Sequence, residues 1–227
     1  MKKFNIAIDG PAGAGKSTIA KAVAKSLGCI YIDTGAMYRG IGVTALQKGI
    51  DPKDAEGVAG ILDDINMEII SKEDGQHILI NGTDVNGIIR TPEASMAASA
   101  VAVIPAVRLK LVDIQREIAE RNNVVMDGRD IGTYVLPNAE IKIFLTASVE
   151  ERASRRYKEF VEKGEKCSLD AVITDMIARD KQDSEREFAP LKKAYDSILV
   201  DTTALNLEES IAEILKIVEE RKANGDI

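Results

Sequence analysis

Apolar residues fall along this chain in short runs, and between the runs they recur at three- and four-residue spacing. FNIAID (Phe4–Asp9) is the first run and ends at a glycine-rich turn, which predicts a buried parallel strand. Lys16 to Leu27 carries Ile19, Val23 and Leu27 on one face, with Gly28 as a stop, and predicts a helix. CIYID (Cys29–Asp33) predicts a second strand and Ala36 to Lys48 a second helix. VVMD (Val124–Asp127), IKIFL (Ile141–Leu145) and SILVD (Ser197–Asp201) are further strand-like runs separated by helical patterns. Strands alternating with helices specify an α/β protein built on a parallel sheet.

The helix starts agree. Ser148-Val-Glu-Glu151 fits a capping box, Thr91-Pro92 puts proline at a first helical position, and Pro105 can open another helix. Asn206 fits the cap of a last helix, Leu207 to about Lys222. One region breaks the alternation. INMEIISKEDGQHILINGTDVNGII (Ile65–Ile89) has two strand-like runs around KEDG and a further NG turn, the grammar of an antiparallel insertion. The expected organisation is a core of residues 1–64 and 90–227 with a small strand-rich insertion at 65–89.

Composition narrows the function classes. The charge of −7 disfavours broad nucleic-acid binding, so any anion site must come from arginines gathered locally. Cys29 and Cys167 fit no metal-ligand spacing and read as free thiols of a reducing compartment. MKKFNIAIDG reaches its glycine turn before a leader's apolar segment can form, and no stretch approaches the roughly 20 apolar residues of a membrane span. The expectation is a cytoplasmic protein with no membrane partner. With His77 as the sole histidine, in a polar turn-and-strand segment, histidine catalysis is disfavoured.

The turn after the first strand is GPAGAGKST, Gly10 to Thr18, and it matches the phosphate-binding pattern G-x-x-x-x-G-K-[ST]. Gly10, Pro11, Ala12, Gly13, Ala14 and Gly15 form the phosphate-binding loop, whose glycines let the backbone turn its N–H groups inward, and the following helix presents its positive end. Lys16 puts a point charge on the outer phosphates of a bound nucleotide, and the Ser17 hydroxyl is placed to ligate Mg²⁺, with Thr18 in support. Such a P-loop serves GTPase switches, ATPase motors and small-molecule kinases alike. The nearest match to a guanine-reading Asn/Thr-Lys-x-Asp element is SKED (Ser71–Asp74), with the wrong first residue, and the transporter signature LSGGQ is missing.

A kinase needs a second, acceptor-side set of charges, and the chain has one. DTGAMYR (Asp33–Arg39) lies at the end of the second predicted strand, where Thr34 can cap the next helix and Arg39 can reach an anion. DGRD (Asp127–Asp130) follows another strand: Asp127 fits a carboxylate holding the Mg²⁺ hydration shell, and Arg129 can pair bidentately with phosphate. ERASRR puts Arg152, Arg155 and Arg156 on one helix face, and ARDKQDSER does the same for Arg179, Asp183 and Arg186 if the helix persists. Joined by the polar Lys163-Gly-Glu-Lys166, the two helices make a lid over about residues 150–190 that carries charge onto the transferred group and expels water.

Taken together, IDGPAGAGKST, DTGAMYR, IRTPE with Ser99 and Arg108 downstream, DGRDIGT, ERASRR and ARDKQDSER strongly resemble the bacterial cytidylate kinases. The elements appear in the family's order over nearly the whole chain. The resemblance implies a P-loop kinase core with flanking helices, a helical lid and a small inserted NMP-binding subdomain. It implies ATP and Mg²⁺ as donor and cofactor, CMP and dCMP as acceptors, and a monomer. It further implies that Ser99, Arg108 and Asp130 read the base, with Thr34 and Tyr38 beside it in the acceptor site. Asp183 would hold the sugar hydroxyls. Arg39, Arg129 and Arg186 would clamp the acceptor phosphate, with Arg179 in reach. Arg155 and Arg156 would act on the transferred group. Cytosine offers a donor beside two acceptors, whereas uracil would leave buried partners unpaired at about 1–3 kcal/mol each. The family often has serine where Thr34 stands, and the hydroxyl is kept. The alternatives left are another pyrimidine-monophosphate or shikimate-type kinase and, in a different class, a nucleotide-binding switch or regulatory ATPase.

Overall fold

The first apolar run forms β1 (Asn5–Asp9), whose Ile6, Ala7 and Ile8 are fully buried. The computed structural model describes residues 3–72, 75–162 and 164–225. The chain forms two compact units, Met1–Tyr31 with Asn123–Ile227, and Ile32–Asn122.

In the first unit β1 leads through the glycine turn into α1 (Lys16–Leu27), which ends on Gly28 in the left-handed conformation. A five-stranded sheet runs in the order β2 (Ile30–Asp33), β6 (Val124–Gly128), β1, β7 (Ile141–Thr146), β8 (Ile198–Asp201). β1 is parallel to both β6 and β7, and β7 to β8. Strands covered on both faces are apolar throughout, which is why these segments read as continuous runs. Ile6 and Ile8 pack in one core with Ile19 and Val23 of α1 and Ile214 and Val218 of α8 (Leu207–Ala223). Asn206 caps α8 through a reciprocal box with Glu209, as its position predicts. Helices α6 (Val149–Glu162) and α7 (Leu169–Glu185) pack together through Ala153, Val172 and Met176.

Three local expectations change. Ser148 caps α6 by accepting from Glu151 N, but the reciprocal half of the box is missing: Ser148 N donates to Thr203 and the Glu151 carboxylate takes Arg155 instead. α7 stops at Glu185, and Arg186 has turned to extended backbone (φ −60°, ψ 140°), so Arg186 does not continue the helix face of Arg179 and Asp183. Between β6 and β7, residues Ile131–Val135 make one turn of π-helix, which no periodicity foretold. In the polar connection after α6, Lys163 lies outside the described residues.

The second unit opens with α2 (Thr34–Gln47). Here Thr34 is the first helical residue and Asp33, not Thr34, is the cap, its carboxylate accepting from Ala36 N at 2.8 Å. The aspartate sits where the strand ends, and its side-chain oxygen has the reach for an orphan amide. α2 packs on α4 (Pro92–Val101), and a Cβ at Gly42 would come within 2.8 Å of the Ala97 Cβ. Thr91 caps α4, Pro105 opens α5 (Pro105–Arg121), and the short α3 (Ala55–Gly60) was not expected from the apolar pattern. The expected antiparallel element is β3 (Met67–Lys72), β4 (Gly75–Ile80) and β5 (Thr83–Asp84). Glu73 and Asp74, the centre of the expected KEDG turn, lie outside the described residues. Asn81 and Gly82 link β4 to β5 with φ of 52° and 77°, the positive pair of a two-residue hairpin turn. Among the described residues no single helix is long and apolar enough to cross a membrane; α4 and α5 pass such a test only as a pair bent by 101°.

Candidate active site

The phosphate cradle is built by three glycines with positive φ, Gly10 (152°), Gly13 (74°) and Gly15 (83°). Gly10 is required twice, since a Cβ there would also fall onto the Leu145 carbonyl of β7. Gly15 precedes α1 with no side chain to cap it, so the first amides of the helix remain available to an anion. Lys16 is buried, and its Nζ donates to Pro11 O at 2.7 Å across the loop. Burial, followed by the nearby Arg129 charge, pulls the Lys16 ammonium down to about 7, against the opposing pull of Asp127 and Asp183. An incoming polyphosphate supplies the countercharge that this site wants.

Register brings the carboxylate to the loop. β6 lies beside β1 with Asp127 opposite Ile8, so Asp127 stands at the same sheet end as the cradle. Its carboxylate accepts from the Ser17 hydroxyl at 2.9 Å and from the Tyr31 hydroxyl at 2.8 Å. Hydroxyl and carboxylate oxygens are the donor set a small hard cation takes. Among the described residues no three His, Cys, Asp or Glu side chains gather into a metal cage.

Beyond Asp127 the turn meets α7. Arg129 Nε donates to Asp183 Oδ2 at 2.7 Å, and Arg186 Nη2 donates to Asp130 Oδ1 at 3.1 Å. The second pair is nearly dry, each side chain 8% exposed. Burial raises the Asp183 carboxyl, but Arg129, with Arg179 and Arg186 adding to it, holds it below its ordinary value. Four arginine and aspartate positions read separately from the sequence therefore form one charged network with Lys16. The ERASRR arginines do not converge. Arg155 binds Glu151 and Thr202, and Arg156 pairs with Glu159 over the Phe160 ring.

Arg152, which the sequence offered only as part of a helix face, has a distinct place. It is 3% exposed, donates to Ala12 O of the P-loop at 3.0 Å and to Ala147 O, and pairs with Asp180 of α7 at 2.7 Å. Asp9 was missed altogether, because a carboxylate at the end of a buried strand reads as a strand terminus. Its two oxygens accept from Ile131 N and Gly132 N, each at 2.7 Å. Burial, opposed by those two amides, raises the Asp9 carboxyl to about 7, with Asp130 pushing the same way and Lys16 against. The folded protein thus keeps a proton that the unfolded chain releases near 3.8. This group's contribution to stability is full below about pH 4 and is lost as the pH rises through about 7. Asp9→Asn is expected to flatten the urea-measured stability slope in that window. An unchanged slope would remove Asp9 as its source.

In the second unit Arg39 pairs with Asp33 at 2.9 Å, and its buried Nε has no hydrogen-bond partner among the described residues. Gln76, on the inserted sheet, accepts from Asp33 N at 2.7 Å, a support invisible in sequence because 43 residues separate the two. Arg108 is 1% exposed, donates to Ala102 O, and stacks over the Tyr38 ring with 5.8 Å to its centroid. Thr34 is buried, and Ser99 donates to Ser95 O on α4. His77 pairs with Asp84 on the antiparallel sheet.

Comparison with known proteins agrees with this arrangement of charges around a P-loop. The family model described as cytidylate kinase matches residues 6–220. A cytidylate kinase of Bacillus subtilis (strain 168) is 53% identical over 220 residues, covering 97% of this chain and 98% of the relative. One from Halalkalibacterium halodurans is 51% identical over 221 residues, covering 97% and 100%. Among solved structures, an uncharacterized protein from Eubacterium ventriosum ATCC 27560 superposes with a TM-score of 0.54 at 14% identity, covering 96% of this chain and 99% of that one, a likeness of fold. At half identity over nearly the full length of both relatives, and with the cradle and its charged partners assembled, the chain belongs to the cytidylate kinase family.

Proposed function

We propose that the protein transfers the γ-phosphoryl group of ATP to CMP and dCMP, giving CDP or dCDP and ADP. The observation that carries this reading is the joining of the P-loop to an arginine–aspartate network within one unit. A hydrolase or switch has no need of acceptor-side arginines, whereas a kinase must neutralise a second anion.

The acceptor phosphate is already ionised, so no side chain has to remove a proton from it. The Lys16 ammonium, the P-loop amides and the α1 terminus hold the donor phosphates. Ser17 and Asp127 fit Mg²⁺, Ser17 directly and Asp127 through water; when bound, the ion neutralises charge on the phosphates. Arg129 and Arg186 neutralise the acceptor phosphate together with Arg39, and Arg179 reaches the sugar-phosphate. Asp183 takes the sugar hydroxyls, and Asp130, Ser99 and Arg108 take the cytosine edge, with Thr34 and Tyr38 lining the acceptor site. Arg155 and Arg156 act on the transferred group after exchanging Glu151, Thr202 and Glu159 for phosphate oxygens. The residues 65–89 form an insertion of the CMP-binding region, and residues 150–190 the lid. The enzyme acts as a cytoplasmic monomer on free nucleotides, without nucleic-acid or membrane partners; its charge of −7 supports the first exclusion.

The test is turnover with ATP and Mg²⁺ in the presence of CMP, dCMP, UMP or AMP, following ADP and nucleoside diphosphate together. Fast stoichiometric formation of both products with CMP and dCMP, and little with UMP or AMP, is expected. ADP release at the same rate with no acceptor would overturn the kinase reading.

A further inference from the structure

The turn that carries Arg129 and Asp130 is tethered at both ends by β1. On its near side Gly128 pairs with Asp9 in the β1–β6 ladder. On its far side the Asp9 carboxylate accepts from Ile131 N with Oδ1 and from Gly132 N with Oδ2, both at 2.7 Å. One residue of β1 thus closes a short loop whose two intervening residues are Arg129 and Asp130. Asp130 sits in an irregular conformation (φ −144°, ψ 23°) and opens the π-turn, its carbonyl accepting from Tyr134 N at 2.9 Å and Val135 N at 3.1 Å, while the two amides that follow it, of Ile131 and Gly132, turn to Asp9. A carboxylate taking two adjacent amides is the device that can hold such a turn, because it pairs both orphan donors at once. Asp9 is 4% exposed, which keeps water from competing for those amides.

We propose that Asp9 is a positioning residue for the acceptor nucleotide, acting through the turn that presents Arg129 and Asp130. The inference rests on the acceptor-side roles given to those two residues above. Asp9 follows the strand into the P-loop, so the same residue that begins the donor cradle sets the acceptor turn. Its effect is nonetheless directed at the acceptor: the bonds it makes are to residues 131 and 132, whereas Lys16 is held by Pro11 O. In Asp9→Asn one oxygen accepts as before, but the amide nitrogen faces an N–H and the second bond is lost.

Steady-state kinetics of Asp9→Asn separates the possibilities. The expected result is a KM for CMP raised by about tenfold, with the KM for ATP within about twofold of the parent. Amide hydrogen exchange at Ile131 and Gly132 should quicken in the same variant. Should Asp9→Asn fail to fold, Gly132→Ala presses on the clamp from the loop side without removing a charge, its methyl meeting Lys142 Cδ at 3.2 Å and Asp9 Oδ2 at 3.3 Å. The same CMP-selective rise is expected there, by about threefold. Equal rises in both KM values, or none, would overturn the proposal. Arg129→Ala and Asp130→Ala, run alongside, test the reading beneath it. If they raise the CMP KM and Asp9→Asn does not, the clamp fails alone. If neither raises it, the acceptor-side reading fails and removes the clamp's role with it.

Discussion

Lys16→Ala is expected to lower kcat by about 10²–10³-fold or more, with the fold retained. Lys16 is buried at the mouth of α1 with its ammonium held by the Pro11 carbonyl, so it is preorganised to meet the outer phosphates and reorganises little when they arrive. Burial, and then the Arg129 charge, depress its pKa to about 7, so the protein holds this charge at a cost. Removing the side chain relieves that cost while depriving the transferring phosphoryl group of a cation. Stability to urea should be unchanged or slightly raised, and turnover should collapse. Near-normal kcat in Lys16→Ala would remove the P-loop from the mechanism.

Asp130→Ala is expected to act on two readouts at once. Asp130 and Arg186 form a pair with 8% exposure on each side, and removing one partner strands a buried charge at about 3–5 kcal/mol. Urea denaturation should record a loss of that order. For function, a carboxylate can accept several hydrogen bonds, and the cytosine amino group is a donor that suits it. The KM for CMP should rise by about tenfold to a hundredfold, while ATP binding measured without acceptor stays near the parent value. Equal damage to CMP and ATP use would assign Asp130 to the framework alone. Asp130→Asn separates the two effects, since it keeps an acceptor for Arg186 but changes the pattern offered to the base.

Much of the first unit was legible because its signals are local. FNIAID, VVM and IKIFL are predominantly apolar, Asn5, Asp9 and Lys142 excepted, as buried parallel strands are, and the glycines of GPAGAGKST mark a turn with positive φ that glycine suits. The Asn81-Gly82 turn was legible for the same reason, as its two positive φ values suit few other residues. Ends of elements were less legible. The sequence pointed to Thr34 as the cap of α2, and the geometry of the strand exit gives the role to Asp33 instead. Arg186 fits a helical spacing, yet the helix stops one residue earlier and Arg186 turns to Asp130 and the Ala189 carbonyl.

The sequence by itself determined the parallel α/β core, the glycine turn of the phosphate loop and the antiparallel strands. Each of these depends on neighbours within a few positions, where backbone sterics and periodic burial act directly. Only the tertiary structure decided which charges meet which. Asp127 reaches Ser17, Asp183 reaches Arg129 and Asp9 reaches two amides more than a hundred residues away because sheet register and helix packing bring their carriers together. The three arginines of ERASRR, alike in sequence, part company for the same reason: Arg152 is buried against the P-loop, while Arg155 and Arg156 find partners on other surfaces. A charged side chain takes the partner that desolvation and geometry leave it, and neither is written in its immediate neighbours.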